Sequence, residues 1–347
     1  MHRTIRALLP PLLLLAGCRH LSSELSGDHD PIPPPPPPAV RATFVVTPEA
    51  LPSPTTFIVY GDMRFTSPTE VEASRPAARQ ALVARVAAEQ PAALFLTGDV
   101  PFHGVSEDYQ VFREESREWR RQQLRVYPAL GNHEFYQCAV PVCLDRWWTA
   151  FPELHGRRWY SVALGTRLEA LMLDSNAPLT PGSEQREWIE EQLGGLDARV
   201  QVVLIVMHHP PLAEPVAVPP GSSSGGPSSS HAVRPNEAAL AEYLEPLAGQ
   251  MSARIVVVSG HIHNYERFER GGVTYLVSGG GGAKPYPVER TPADRYQDPD
   301  FPNFHYLRFE LRARTLVGEM HRLEVGPDGR AGGFAVRDRF ELSLAAR

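Results

Sequence analysis

Five times along this chain of 347 residues, a glycine turn or an apolar run breaks off directly into Asp, Asn or His. In order the breaks read Gly61-Asp62, Gly98-Asp99, Gly131-Asn132-His133-Glu134, His208-His209-Pro210 and Gly260-His261-Ile262-His263. Short runs rich in Val, Ile, Leu and Phe (57–60, 93–96, 202–207 and 255–258) have the length and composition of buried strands. Stretches of helical character lie between them, at 76–90, 108–123, 183–193 and 236–250. Such alternation argues for an α/β fold, and open α/β sheets gather their sites beyond the C-terminal ends of their strands. Farther on, 273–277, 306–311 and 334–342 read as antiparallel strands. They are expected to form a second sheet packed near the first, within one domain spanning 53–347.

The N-terminus has a different character. Arg3 and Arg6 precede an apolar stretch, residues 7–17, that is shorter than the ~20 residues a membrane-spanning helix needs. Its length and flanks are those of a signal peptide, 1–17. It closes on Leu15-Ala16-Gly17-Cys18, which is similar to a bacterial lipobox, with Cys18 as the lipid-modified first residue. Arg19 follows where an aspartate would signal inner-membrane retention, so an outer-membrane anchor is expected. Residues 18–52 read as a tether containing six consecutive prolines, Pro33 to Pro38. Polyproline cannot donate backbone hydrogen bonds and extends as a stiff spacer. Prolines number 35 in the whole chain, near twice the usual ~5%. A Gly/Ser-rich stretch at 221–230 reads as a flexible insertion.

Composition excludes several classes. With 34 Lys+Arg against 40 Asp+Glu, the chain lacks the basic footprint of a nucleic-acid binder. Three cysteines are too few for a disulfide scaffold or a Cys-rich zinc module. The Gly-x-Ser-x-Gly match at 221–225 lies in the Gly/Ser-rich stretch and is no strand-to-helix elbow, and no His-Glu-x-x-His helix is present. The strand-end residues instead offer carboxylate, amide and imidazole ligands without thiolate, a mixture suited to Mn, Fe or Zn ions in an open site. The alternation in His261-Ile262-His263 puts both imidazoles on one side of an extended segment.

Taken together and in this order, the five motifs resemble the calcineurin-like metallophosphoesterase superfamily. The segment Gly260-His261-Ile262-His263-Asn264-Tyr265-Glu266-Arg267, and Glu184-Gln185-Arg186-Glu187-Trp188-Ile189 before it, are similar to its purple acid phosphatase branch. The resemblance implies a two-sheet α/β sandwich and metal-dependent hydrolysis of phosphate mono- or diesters. It implies two metal ions, with Asp62 and His263 on the first, Asp99 bridging, and Asn132, His208 and His261 on the second. A hydroxide held between the ions would attack phosphorus. His209 would then stand outside the ligand set, and His133, next to a ligand without being one, is the candidate to protonate the leaving oxygen.

Two positions depart from the pattern. Arg64 stands where most of the superfamily has a histidine ligand, and Phe102 where purple acid phosphatases have a tyrosine ligand. Arg64 is read either as a salt-bridge partner of a nearby acid or as a clamp on substrate phosphate. His231 is a candidate substrate contact, its alternative a solvated loop histidine; His103 has nothing to fix it in the cleft. These departures keep open a second reading, a catalytically silent module holding a phosphorylated ligand at the cell envelope. An exported chain meets an oxidising compartment, so Cys138 and Cys143 are expected to form a disulfide. Trp147, Trp148 and Phe151 read as core.

Overall fold

The computed structural model describes residues 41–217, 231–326 and 329–345. The signal segment, Cys18, the polyproline run and the stretch 221–230 lie outside the described residues. Thirteen strands follow in chain order: β1 (Phe44–Val46), β2 (Thr55–Tyr60), β3 (Ala93–Leu96), β4 (Val126–Pro128), β5 (Tyr160–Leu164), β6 (Leu168–Met172), β7 (Val202–Met207), β8 (Arg254–Ser259), β9 (Tyr265–Arg270), β10 (Val273–Ser278), β11 (His305–Leu311), β12 (Thr315–Val325) and β13 (Ala331–Ser343). The α-helices are α1 (Pro76–Glu89), α2 (Ser106–Glu115), α3 (Arg117–Arg121), α4 (Val140–Ala150), α5 (Glu184–Gly194) and α6 (Pro235–Ala248). Among the described residues, no helix is long and apolar enough to cross a membrane.

The strands form two sheets, in the orders β1-β5-β6-β7-β8-β10-β9 and β13-β12-β11-β2-β3-β4. The fold is thus the expected two-sheet α/β sandwich, but the sheets do not divide the chain into early and late halves. β10 pairs in parallel with β8 and so joins the first sheet. β11 pairs antiparallel with β2, which adds the late strands β11 to β13 directly to the early parallel strands β2, β3 and β4. β1 falls inside the stretch expected to be tether, because Phe44 to Val46 pair with Val162 to Leu164 of β5.

Period-two alternation explains how the layers stack. In β7, Val202, Leu204 and Val206 enter the core that also holds Phe57, Phe95 and Phe309 of the facing sheet. Val203, Ile205 and Met207 point the other way, into a core with Ile189 and Leu193 of α5 and Leu240 and Leu244 of α6. Strands buried on both faces must be apolar throughout, which is why these runs lack a polar face. The helix expected over 108–123 is two helices. Ser116 breaks it, with its hydroxyl donating back to the Phe112 carbonyl at 2.5 Å, a local bond that competes with helix continuation. Trp147 and Phe151 are buried as expected, while Trp148 is only partly so, its Nε1 donating to the Arg157 carbonyl.

Phe57 stacks on Phe309 at 4.9 Å and meets Phe95 edge-on at 5.9 Å, linking β2 to both neighbouring strands. Phe57→Ala should therefore lower the unfolding free energy by about 3–5 kcal/mol. In urea titration the midpoint should fall with the slope unchanged; a loss below about 1 kcal/mol would mean the core re-forms around the gap.

Candidate active site

The parallel strands of both sheets end at one edge. Asp62 follows β2, Asp99 follows β3, Asn132 follows β4, His208 and His209 follow β7, and His261 and His263 follow β8. The loops meet so closely that side chains are excluded. A Cβ on Gly131 would stand 2.3 Å from Asp99 Oδ1, and one on Gly260 2.3 Å from Asp62 Oδ2. Asp62, Asp99 and His261 all take positive φ, at 60°, 51° and 69°. That conformation is costly for residues with a side chain and recurs at functional sites.

Two ligand groups result. Asp62, Asp99 and His263 present donor atoms within 4.8 Å of one another, as do His208, His209 and His261. His208 gives its Nδ1–H to the Thr97 carbonyl at 3.0 Å, which leaves Nε2 unprotonated in the neutral ring. That lone pair faces Asn132 Oδ1 at 2.9 Å, Asp99 Oδ1 at 3.2 Å and His261 Nδ1 at 3.2 Å. His263 gives Nδ1–H to the Lys284 carbonyl at 2.7 Å. Its Nε2 is buried without a hydrogen-bond partner, 3.5 Å from Asp62 Oδ1. Acceptors facing acceptors in a buried volume fit cations, and the oxygen-and-imidazole set fits borderline divalent ions. His209 stands with His208 and His261, closer to the centre than the sequence suggests. Its Nδ1 and its backbone N–H are both held by the Ser175 hydroxyl, at 2.8 and 3.0 Å.

Electrostatics separate the two carboxylates. Burial pushes Asp62 up to about 7, against the opposing charge of His208. Burial would raise Asp99 too, but the Arg64 guanidinium and the bonded His133 backbone N–H hold it well below the usual carboxylate range. Burial, reinforced by Arg64, keeps His263 well below the ordinary imidazole value and hence neutral, as a ligand must be.

Arg64 lands on the acid that the resemblance makes the bridge. Its Nε and Nη2 donate to Asp99 Oδ2 at 3.3 and 3.1 Å. His133 donates its backbone N–H to Asp99 Oδ1 at 2.9 Å and its Nδ1–H to the Phe102 carbonyl at 2.6 Å. Its ring lies between Phe102 and Tyr136, and its Nε2 is 3.9 Å from Asp99 Oδ2. Burial lowers this imidazole to about 4. His231 is also brought to the cleft, its ring 5.2 Å from His261 and 4.8 Å from Tyr286. His103 is instead paired with Asp108, at 3.2 Å. Cys138 and Cys143 are bonded, the latter in the first turn of α4.

Two residues escaped the sequence reading. Glu134 is buried and accepts backbone N–H bonds from Asp99, Val100 and Gly131 at 2.8–3.1 Å, tying the loops after β3 and β4 together. Its signal was its place directly after Asn132-His133. Tyr286 lays its ring against His263 at 4.6 Å and donates its hydroxyl to the His261 carbonyl at 2.6 Å. Only the glycine run 279–282 before it hints at a close approach.

Fold and site together are a two-sheet α/β sandwich with buried carboxylate, amide and imidazole groups gathered at its strand ends. Residues 55–265 match the calcineurin-like phosphoesterases, and the chain belongs to that family. No curated protein sequence matches it. The fold is similar to purple acid phosphatase PPD1 from yellow lupin (Lupinus luteus) seeds, with TM-score 0.62, 20% identity, and 85% of this chain and 55% of that chain covered. It is also similar to PhoD, with TM-score 0.54, 12% identity, and 85% and 72% covered. The chain thus spans about half the length of the plant phosphatase it matches.

With Asp62 as a ligand, its raised carboxyl would make cation uptake proton-linked. Below about pH 7 the metal-free protein keeps a proton there, which an arriving cation must expel. Affinity for Mn or Zn should therefore fall as pH drops through about 7, with proton release rising on the acid side. Calorimetry in buffers of differing ionisation enthalpy reads both quantities. Asp62→Asn should abolish this part of the release; release unchanged in that variant would place the proton elsewhere.

Proposed function

We propose that this protein hydrolyses phosphate mono- or diesters with the help of metal ions held in the strand-end cleft. The observation that carries the reading is the buried His208 Nε2 lone pair facing the oxygens of Asn132 and Asp99, with unpartnered His263 Nε2 beside Asp62. Asp62, Asp99 and His263 would hold one ion; Asp99, Asn132, His208 and His261 a second. Bound there, such ions supply Lewis acidity, lowering the pKa of a water and neutralising phosphate oxygens.

The remaining roles fall to side chains. Arg64 has Nη1 without a hydrogen bond among the described residues, directed by a guanidinium that suits phosphate oxygens. His231 flanks His261 on the side of Tyr286, where a substrate group beyond the phosphate would lie. His133 is held rigid by Phe102, Tyr136 and the Phe102 carbonyl, with Nε2 toward Asp99. Neutral and with its proton on Nδ1, the ring would take up a second proton at Nε2 before passing it to a departing oxygen. A panel of aryl phosphate mono- and diesters assayed with Mn, Zn, Fe and Mg tests the function. Activity should vanish on metal removal and return on addition. His133→Ala should keep its metal and lose roughly 10²–10⁴-fold on poor leaving groups, with less loss on activated ones. Absence of turnover with every metal and ester would favour the silent binding module.

We further propose that the domain works outside the cytoplasm, anchored through a lipid on Cys18. The Cys138–Cys143 disulfide supports this, since such bonds persist in oxidising compartments. Cys18→Ser should abolish lipid labelling and release the protein from membranes. Unchanged detergent partitioning of the variant would reject the anchor.

A further inference from the structure

Arg64 and Phe102 are separate departures in sequence, yet they meet in space. The guanidinium lies 5.8 Å over the Phe102 ring, within cation–π range, while it donates twice to Asp99 Oδ2. The other oxygen, Oδ1, is engaged on the opposite side by the His133 N–H and faces His208 Nε2. The oxygen left for an ion at Asp62 and His263 is therefore the one that Arg64 occupies. A carboxylate oxygen has about two acceptor sites, and two arginine donors take both. A phenol at position 102 would add a ligand there; a phenyl ring adds only a face on which the arginine rests.

The backbone keeps Arg64 in place. Its φ is 48°, and its N–H donates to the Asp99 carbonyl at 3.0 Å. Its own carbonyl accepts from Arg79 Nη1 at 3.1 Å, and the fully buried Arg79 is pinned by Glu115. Only the side chain is left to move. It is 14% exposed, so it has a way out into the cleft. A guanidinium and a divalent ion cannot share one carboxylate oxygen without close like-charge repulsion.

We propose that Arg64 is a built-in competitor of the first metal ion. Guanidinium and ion contend for Asp99 Oδ2. The site of Asn132, His208 and His261 then fills first, and the site of Asp62 and His263 fills only when Arg64 releases Asp99. The inference rests on the two-ion reading of the cleft given above.

The test is stoichiometric and needs no turnover. Metal-stripped parent protein, Arg64→Ala and Arg64→Gln are titrated with Mn by calorimetry, and bound metal is counted by elemental analysis. The parent should take one ion tightly and a second roughly 10–100-fold more weakly, the usual effect of disturbing a ligand's surroundings. Both variants should bind two ions with that gap closed. Two equally tight ions in the parent overturn the proposal even if neither variant folds. A weak second step that persists in folded variants also overturns it. A parent that binds no ion overturns it together with the two-ion reading, so the two failures are told apart.

Discussion

Acceptors that face acceptors organise this molecule. His208 Nε2 faces Asn132 Oδ1 and Asp99 Oδ1 at 2.9 and 3.2 Å in a buried volume. Such a cluster opposes folding unless positive charge enters it. The rest of the architecture holds it in shape. Three of the four histidines in the two ligand groups are oriented from behind by a carbonyl or hydroxyl, His208 by Thr97, His263 by Lys284 and His209 by Ser175. Glu134 collects three backbone N–H groups and so fixes the two loops that carry Asp99 and Asn132. Ligand orientation by an outer layer of this kind is what gives metal sites their affinity.

Local strain concentrates at the same edge. Four of the residues with a side chain and positive φ (Asp62, Arg64, Asp99 and His261) lie in the cleft. In each case a neighbouring loop supplies a compensating bond, for the Asp99 N–H the Glu134 carboxylate. Asp62 N–H reaches the Gly98 carbonyl, Arg64 N–H the Asp99 carbonyl, and His261 N–H the Asp62 carboxylate. The loops after β2, β3 and β8 thus stabilise one another's unfavourable conformations. A change in one is expected to be felt in the others, since bonds in one network are not additive.

The parts legible in sequence were those with an unusual residue type at a strand end. Asp62, Asp99, Asn132, His208, His261 and His263 announced themselves because carboxylate, amide and imidazole groups rarely follow apolar strands without a task. Strand pairing was not legible. The 273–277 run has the same composition whether it pairs with β8 or with the other sheet, and only the three-dimensional path decides. Ser116 splits a helix by a bond that a helical pattern does not reveal. For Arg64 the sequence left a salt bridge and a phosphate clamp open, and could not show that the nearby acid is Asp99, which groups with Asp62 and His263 and also reaches His208. Glu134 acts through backbone groups, which carry no sequence signature of their own.

The outermost strands of the two sheets bear on how this protein behaves in a crowd. An open sheet edge is a row of unpaired N–H and C=O groups, ready to extend into another chain. Here β1 and β4 are only three residues long, and β4 ends in Pro128, which has no N–H to offer. β9 carries Arg267, Glu269 and Arg270, and β13, the longest strand at thirteen residues, carries Arg337, Asp338, Arg339 and Glu341 after the uncharged run 331–336. Shortness blunts one edge of each sheet and charge blunts the other. Copies packed side by side would meet a short strand or charge along these borders everywhere except 331–336, a hindrance to self-assembly that does not depend on the cleft.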